Sequence, residues 1–302
     1  MKKLHHILAA IDFTPHCRNA LREAARRAAL DGSALTAVHV MDDFLVHELK
    51  KAMACDQATV LSEWTQKLQK FVDDSDCGAV MAKVEVRIGN AFAEIVEACQ
   101  VHQADLLVMG SKGSKAEPHR IGVIAAKCVR KAPVDVLLVR GDARSPFKRV
   151  LACVDFSENS AKAVQCALHL AQEDNAALDC LHIYQSAMAM ALDYGGMVPP
   201  LPAVGDEESI NAWNVELSNF LEPLLRSAGD VPVTQEVQER LNIREAIMEH
   251  AAATGADLVV LGTRGKSGLR EMLIGTTAEK IVQHAQCSIL AVKPDAVVAG
   301  AD

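Results

Sequence analysis

His6-Ile7-Leu8-Ala9-Ala10-Ile11-Asp12-Phe13-Thr14 and Arg149-Val150-Leu151-Ala152-Cys153-Val154-Asp155-Phe156-Ser157 run in step, an apolar stretch ending in Asp-Phe and a hydroxyl residue. The agreement continues. Leu35-Thr36-Ala37-Val38-His39-Val40 lines up with Leu178-Asp179-Cys180-Leu181-His182-Ile183. Further on, Ala104-Asp105-Leu106-Leu107-Val108-Met109-Gly110 faces Ala256-Asp257-Leu258-Val259-Val260-Leu261-Gly262. Both series close on apolar runs, Val136 to Val139 and Ile289 to Val292. Four ordered matches at similar spacing mark an internal duplication.

Each copy alternates short apolar, β-branched runs with helical stretches. Thr14 and Ser157 are good helix N-caps, so helices are predicted from Pro15 to Leu30 and from Glu158 to Glu173. Alternating strands and helices predict a mainly parallel sheet wound on both faces, with ligands taken at the carboxyl ends of the strands where strand order reverses. The fold class is therefore α/β, two tandem doubly wound domains. The polar seam Gly141 to Pro146 separates residues 1–143 from residues 147–302. An irregular stretch, Gln185 to Gly205, interrupts the second copy and reads as a functional or disordered loop, its segment Tyr194 to Pro202 being either a lid over the site or a partner-binding element.

Composition fits this reading and narrows function. Hydrophobic residues make up 50% of the 302-residue chain and aromatic residues only 4%, which suits parallel strands covered by alanine-rich helices. The formal charge of −8, with scattered basic residues, argues against nucleic-acid binding. No run approaches the roughly 18–20 apolar residues of a membrane span, and Asp12 cuts short the apolar start, so a cytoplasmic protein is expected. The nine cysteines, never spaced Cys-x-x-Cys, read as small buried hydrophobes. The pairs Cys99/His102, Cys180/His182 and His284/Cys287 each offer two ligands, too few for a metal site. His39 and His182, each at the end of an internal strand, read as hydrogen-bonded core residues in preference to catalytic ones.

Chemistry concentrates in Gly262-Thr263-Arg264-Gly265 and, after nine more residues, Gly275-Thr276-Thr277. This loop follows an apolar strand and feeds an amphipathic helix bearing Ala278, Ile281, Val282 and Ala285 on one face. Its glycines permit close backbone approach to a ligand, and exposed amides with a helix start behind Gly275 attract an anion. Thr276 and Thr277 add hydroxyl donors. Gly265-Lys266-Ser267 is not the end of a Walker A motif, because that motif needs glycine where Val260 stands.

The spacing Gly262-x2-Gly265-x9-Gly275-Thr276, with Ala256 to Gly262 and Val154-Asp155-Phe156-Ser157, resembles the ATP-binding universal stress proteins. The likeness covers nearly the whole chain as two family domains. It implies five-stranded, adenine-nucleotide α-hydrolase-like sheets, an intramolecular pseudo-dimer and a homodimer of such chains. By position it implies that Asp155 holds the nucleoside, Ile183 meets adenine through its backbone, and Leu261 flanks the base. Gly262 would lie near the ribose, while Gly265, Gly275, Thr276 and Thr277 wrap the phosphates with Arg264 as a charged contact. The cofactor implied is ATP, with Mg2+.

The first copy departs from the pattern. Its loop, Gly110 to Gly122, is one residue short, Val123 replaces the hydroxyl residue, and Glu117 and Pro118 intervene. Asp12 and Val40 survive, so the first copy is expected to keep the base end without the phosphate end, and to bind ATP much more weakly than the second copy or not at all. No general base or nucleophile is evident, which favours a regulatory stress-response protein acting through protein partners, with at most slow hydrolysis. An adenylating enzyme would need a Ser-Gly-Gly-x-Asp-Ser loop after the first strand or a His-x-Gly-His motif, and the chain has neither. A nucleotide-free scaffold working through dimer contacts remains the other reading.

Overall fold

The computed structural model describes residues 3–78, 80–112, 121–140, 146–185, 207–264 and 275–295. The segment Tyr194 to Pro202 and Gly265 lie outside these residues. By packing, the chain forms two compact units. One comprises Lys2–Ser145 with Val282–Leu290, the other Pro146–Ile281 with Ala291–Asp302.

In the first half the elements run β1 (His6–Ala10), α1 (Pro15–Asp31), β2 (Ala34–Met41), α2 (Asp43–Met53), α3 (Gln57–Asp73), β3 (Ala82–Ile88), α4 (Ala91–Val101), β4 (Leu106–Gly110), α5 (Val123–Lys131) and β5 (Asp135–Val139). Their order in the sheet is β3-β2-β1-β4-β5, every neighbouring pair parallel. The second half repeats the plan with β6 (Arg149–Val154), α6 (Glu158–Asp174), β7 (Ala177–Tyr184), α7 (Glu207–Leu221), β8 (Val233–Glu239), α8 (Ile243–Thr254), β9 (Leu258–Gly262), α9 (Thr276–His284) and β10 (Ser288–Val292). Its strands lie in the order β10-β9-β6-β7-β8, and β6 pairs in parallel with both β7 and β9.

The apolar runs form strands because both of their faces are covered. Ile7, Leu8 and Ala9 are fully buried, as are Val150, Leu151 and Ala152. The helices against them are alanine-rich for the same reason. In α1 the inward stripe Ala20, Leu21, Ala24, Ala25 and Ala28 is excluded from water, and small residues let the helix lie close on the sheet. Burying Leu21 alone contributes about 1.5–3 kcal/mol. The helix begins where expected, its Thr14 hydroxyl accepting from Cys17 N–H, and stops at Gly32, whose φ of 65° returns its N–H to the Ala28 carbonyl. In α6, Ser157 caps in the same way through Ser160 N–H.

No disulfide joins any of the nine cysteines, all of which lie among the described residues. Cys17, Cys99 and Cys180 are buried, and burial pushes each thiol up to about 12. These three, with Cys128 and Cys166, are buried as the sequence suggested, whereas Cys55, Cys77, Cys153 and Cys287 are only partly buried.

Candidate functional site

In each half the first strand runs one way into its neighbours and the later strands add on its other side. In the second half the switch lies between β6 and β9. The register pairs Val154 with His182 and Ala152 with Val260. Carried one residue further, the β7 register sets Asp155 beside Ile183; carried two further, the β9 register sets Val154 beside Gly262, one residue short of Asp155. Three of the residues singled out by sequence therefore meet at the carboxyl edge of adjacent strands, where such sheets take ligands.

The turn that presents Asp155 is built with care. Asp155 Oδ1 accepts from Ser157 N–H at 3.0 Å and from Ser157 Oγ at 2.5 Å, and Ser157 Oγ accepts in turn from Ser160 N–H at 3.1 Å. The carboxylate thereby supports the helix cap, while its Oδ2 takes no hydrogen bond among the described residues and the residue stays exposed. Between the two bonded residues, Phe156 sits at φ 60°, a left-handed conformation that costs a bulky side chain about 1–3 kcal/mol. Phe13 does the same at φ 62°, with Asp12 Oδ1 bonded to Thr14 N–H and Oγ.

Two things hold this conformation. One is the Asp bond spanning it. The other is an aromatic cluster that appears twice. The Phe13 ring lies 4.6 Å from the His39 ring, 5.7 Å from Trp64 and 5.4 Å from Phe71. Phe156 lies 4.4 Å from His182, 5.9 Å from Trp213 and 5.4 Å from Phe220. Each Trp–Phe pair is seven residues apart on α3 or α7, two turns along one helix face. The histidines complete the corner through Nδ1, bonded at 2.8 Å to the Ile11 carbonyl and to the Val154 carbonyl. They are the hydrogen-bonded core residues that their strand-end positions suggested. Burial pushes the His39 imidazole below its ordinary value, against the opposing pull of the Ile11 carbonyl.

Ile183 and Leu261 are both buried, at 7% and 3% exposure. Gly262 has a structural duty that its sequence context did not show. A Cβ there would stand 2.8 Å from Asn159 Nδ2 and 3.2 Å from the Asn159 carbonyl carbon. Gly110 is the counterpart in the first half, with a Cβ position 2.9 Å from the His16 carbonyl carbon. Both glycines let the first turn of the leading helix press against the end of the fourth strand of its half.

Beyond Gly262 the chain is pinned. Thr263 N–H donates to the Val292 carbonyl at 3.0 Å, and Gly275 N–H returns to the Thr263 carbonyl at 2.9 Å. The start of α9 is thus drawn back to the strand end it left. Gly275 itself has open space where a Cβ would go. The backbones of Thr276 and Thr277 open α9, and their hydroxyl groups lie outside what the structure describes. Arg264 is half-buried, and its carbonyl accepts from Asn159 Nδ2 at 3.4 Å.

The first half keeps the same frame despite its shorter loop. Ser111 N–H donates to the Val139 carbonyl at 3.0 Å, and Gly122 N–H to the Ser111 carbonyl at 2.9 Å. What it lacks is the hydroxyl. Gly122 supplies no side-chain cap to α5, and Val123, at the position of Thr276, is 73% exposed.

Sequence reasoning missed two parts of this corner. The Trp-x6-Phe repeat was there to be seen, in Trp64 to Phe71 and Trp213 to Phe220. It lies 25 residues after His39 but 31 after His182, so the offset of the other matches does not reveal it. Asn159 carried no signal of its own, because its partners are over a hundred residues away.

No helix among the described residues is long and apolar enough to cross a membrane. The profile of the universal stress protein family matches residues 3–140 and again residues 146–293. A universal stress protein of Mycolicibacterium smegmatis is 24% identical over 299 residues, covering 95% of this chain and 97% of its own length. Universal stress protein YxiE of Bacillus subtilis is 33% identical over 148 residues, 49% of this chain and 99% of the relative. Among solved structures, a universal stress protein from Archaeoglobus fulgidus superposes with a TM-score of 0.66 at 17% identity, over 97% of this chain and 99% of that one. Two matched segments, a full-length relative and a shared fold agree with the duplicated architecture. The chain belongs to the universal stress protein family, as two domains of that family in tandem.

Proposed function

We propose that this universal stress protein is a regulatory protein that binds ATP in its second half and acts through protein partners. What carries the reading is the closure at Thr263. The Gly275 N–H bond to its carbonyl brings the start of α9 back to the strand end that lies beside Asp155. Free amides at that helix start favour an anion, and the exposed Asp155 Oδ2 is an acceptor suited to the hydroxyls of a ribose. A ligand with an anionic end and a hydroxyl-bearing end fits the two together, and a nucleoside triphosphate has both. Mg2+ would arrive with the phosphates, whose oxygens supply its ligands. Gly265, Thr276 and Thr277 are assigned to the phosphates by their place in the family's spacing, and Ile183 and Leu261 to the base.

The first half is assigned no ATP. It keeps the carboxylate turn and the loop frame but offers Val123 where a phosphate would meet a hydroxyl. A cytoplasmic homodimer remains the expected assembly. A scaffold reading, in which neither half takes nucleotide, draws on the exposed Phe44 and Leu45 of α2, 72% and 40% accessible. One titration separates the two. Calorimetry with Mg-ATP on nucleotide-stripped protein is expected to give one site per chain, lost in Gly275→Val/Thr276→Val. Folded wild-type protein that takes up no ATP would overturn the nucleotide reading and leave the scaffold.

A further inference from the structure

Asn159, the second residue of α6, lies outside every glycine and hydroxyl signature of the loop. Its side chain is buried, with 6% of the residue exposed. The amide nitrogen donates to two carbonyls from distant parts of the chain, Val292 at 3.3 Å and Arg264 at 3.4 Å. The Val292 carbonyl also accepts from Thr263 N–H at 3.0 Å and Thr263 Oγ1 at 3.2 Å. Three donors thus converge on one oxygen at the end of β10. They join the first turn of α6, the exit of β9 and the exit of β10 at a point.

The orientation of the carboxamide follows from its neighbours. Both groups near Nδ2 are acceptors, so a flipped amide would set oxygen against two oxygens. Oδ1 therefore points elsewhere, and it is buried without a hydrogen-bond partner among the described residues. A buried acceptor left so is a cost to folding, and such groups call for an explanation in terms of what the site does. A second constraint accompanies it, since a Cβ at position 262 would press on the same amide at 2.8 Å.

The first half serves as an internal control. His16 stands in the place of Asn159, Ser111 in that of Thr263 and Val139 in that of Val292. The backbone bond survives, Ser111 N–H to the Val139 carbonyl. The side-chain bonds do not: His16 makes none among the described residues, and the buried Ser111 Oγ has no partner there. The side-chain anchor is present only in the half whose loop keeps the family spacing and a hydroxyl at its helix start.

We propose that Asn159, seconded by Thr263, is a positioning residue for the phosphate end of the nucleotide site. It holds the Arg264 carbonyl, from which the glycine loop departs, in fixed relation to Thr263, whose own carbonyl holds Gly275 at the start of α9. This rests on the nucleotide reading above and adds to it a division of labour. Asp155 and its turn serve the nucleoside, and the Asn159 anchor serves the phosphates.

The division is testable by how affinity depends on phosphate count. Wild type, Asn159→Ala and Thr263→Val full-length chains, stripped of nucleotide, are titrated with Mg-ATP, Mg-ADP, AMP and adenosine, and their thermal midpoints are recorded. Losing the two bonds of Asn159 is expected to weaken ATP about tenfold, Thr263→Val about threefold, and adenosine less than twofold in either. The loss grows from adenosine to ATP. Equal losses for all four ligands would show a role in the general fold and overturn the proposal, as would an unchanged ATP affinity in Asn159→Ala. Wild type that binds none of the four would instead defeat the nucleotide reading on which the proposal rests. Should Asn159→Ala not fold, Asn159→His, which installs the residue the first half uses, carries the same expectation.

Discussion

Replacing Gly110 with alanine puts the packing of helix on strand to a direct test. The added Cβ would stand 2.9 Å from the His16 carbonyl carbon, 3.0 Å from Cys17 N and 3.1 Å from the His16 carbonyl oxygen. All three are backbone atoms in the first turn of α1, so no side chain can swing aside. Either α1 or the end of β4 must retreat, and forced overpacking of this kind costs about 1–3 kcal/mol. Alanine also restricts the unfolded chain, which offsets about 0.4–1 kcal/mol. The net loss is about 1–2 kcal/mol, or roughly 2–8 °C in the melting temperature of a domain of 150–250 residues. Differential scanning fluorimetry measures it, with Gly275→Ala as the control, since that position opens onto empty space. A Gly110→Ala midpoint within 1 °C of wild type would refute the claim that this glycine exists for close approach.

Asp155→Ala removes both bonds to Ser157 and should cost about 1 kcal/mol of second-half stability, as loss of a helix cap does, while weakening ATP and adenosine by the same factor. Asp12→Ala should show the stability loss in denaturant melts without any change in nucleotide affinity. The buried thiols of Cys17, Cys99 and Cys180, pushed up to about 12, are neutral at pH 8, so Ellman's reagent should reach them only on unfolding. Because these thiols ionise more readily in the unfolded chain, stability should fall as pH rises above about 9 toward 12, a loss visible in urea midpoints. His39 works at the other end of the scale. Its folded value is lowered, so the stability it contributes is present above pH ~6.5 and drains away as pH falls, and His39→Gln should flatten the acid limb of the same curve.

The parts of this molecule that were legible in sequence are those written in local pattern. Asp-Phe-Thr and Asp-Phe-Ser announced a strand end and a helix cap, and α1 and α6 begin where those residues put them. Alternation of apolar runs with helices gave the parallel sheet, and the duplication doubled the signal. The carboxyl-edge meeting of Asp155 and Gly262 followed from the fold class alone. What stayed hidden depends on contacts between distant segments. Gly262 reads as a ligand-facing glycine along the chain, yet a Cβ there would crowd Asn159, on another element, at 2.8 Å from its side-chain amide and 3.2 Å from its carbonyl carbon. The left-handed Phe13 and Phe156 break a local preference, and the rings that hold them come from helices decades of residues away. Local rules fail at this corner because tertiary packing, not propensity, sets its backbone.

The chain contains two tryptophans, Trp64 and Trp213, and the aromatic corners place one in each half, next to a histidine at the end of its strand. Each half therefore carries its own intrinsic fluorophore, within 5.1 or 5.2 Å of an imidazole whose protonation would quench it. Tryptophan emission comes from the second half alone in a Trp64→Phe chain, and from the first alone in a Trp213→Phe chain. The optical record of the two halves can thus be taken separately, without a label.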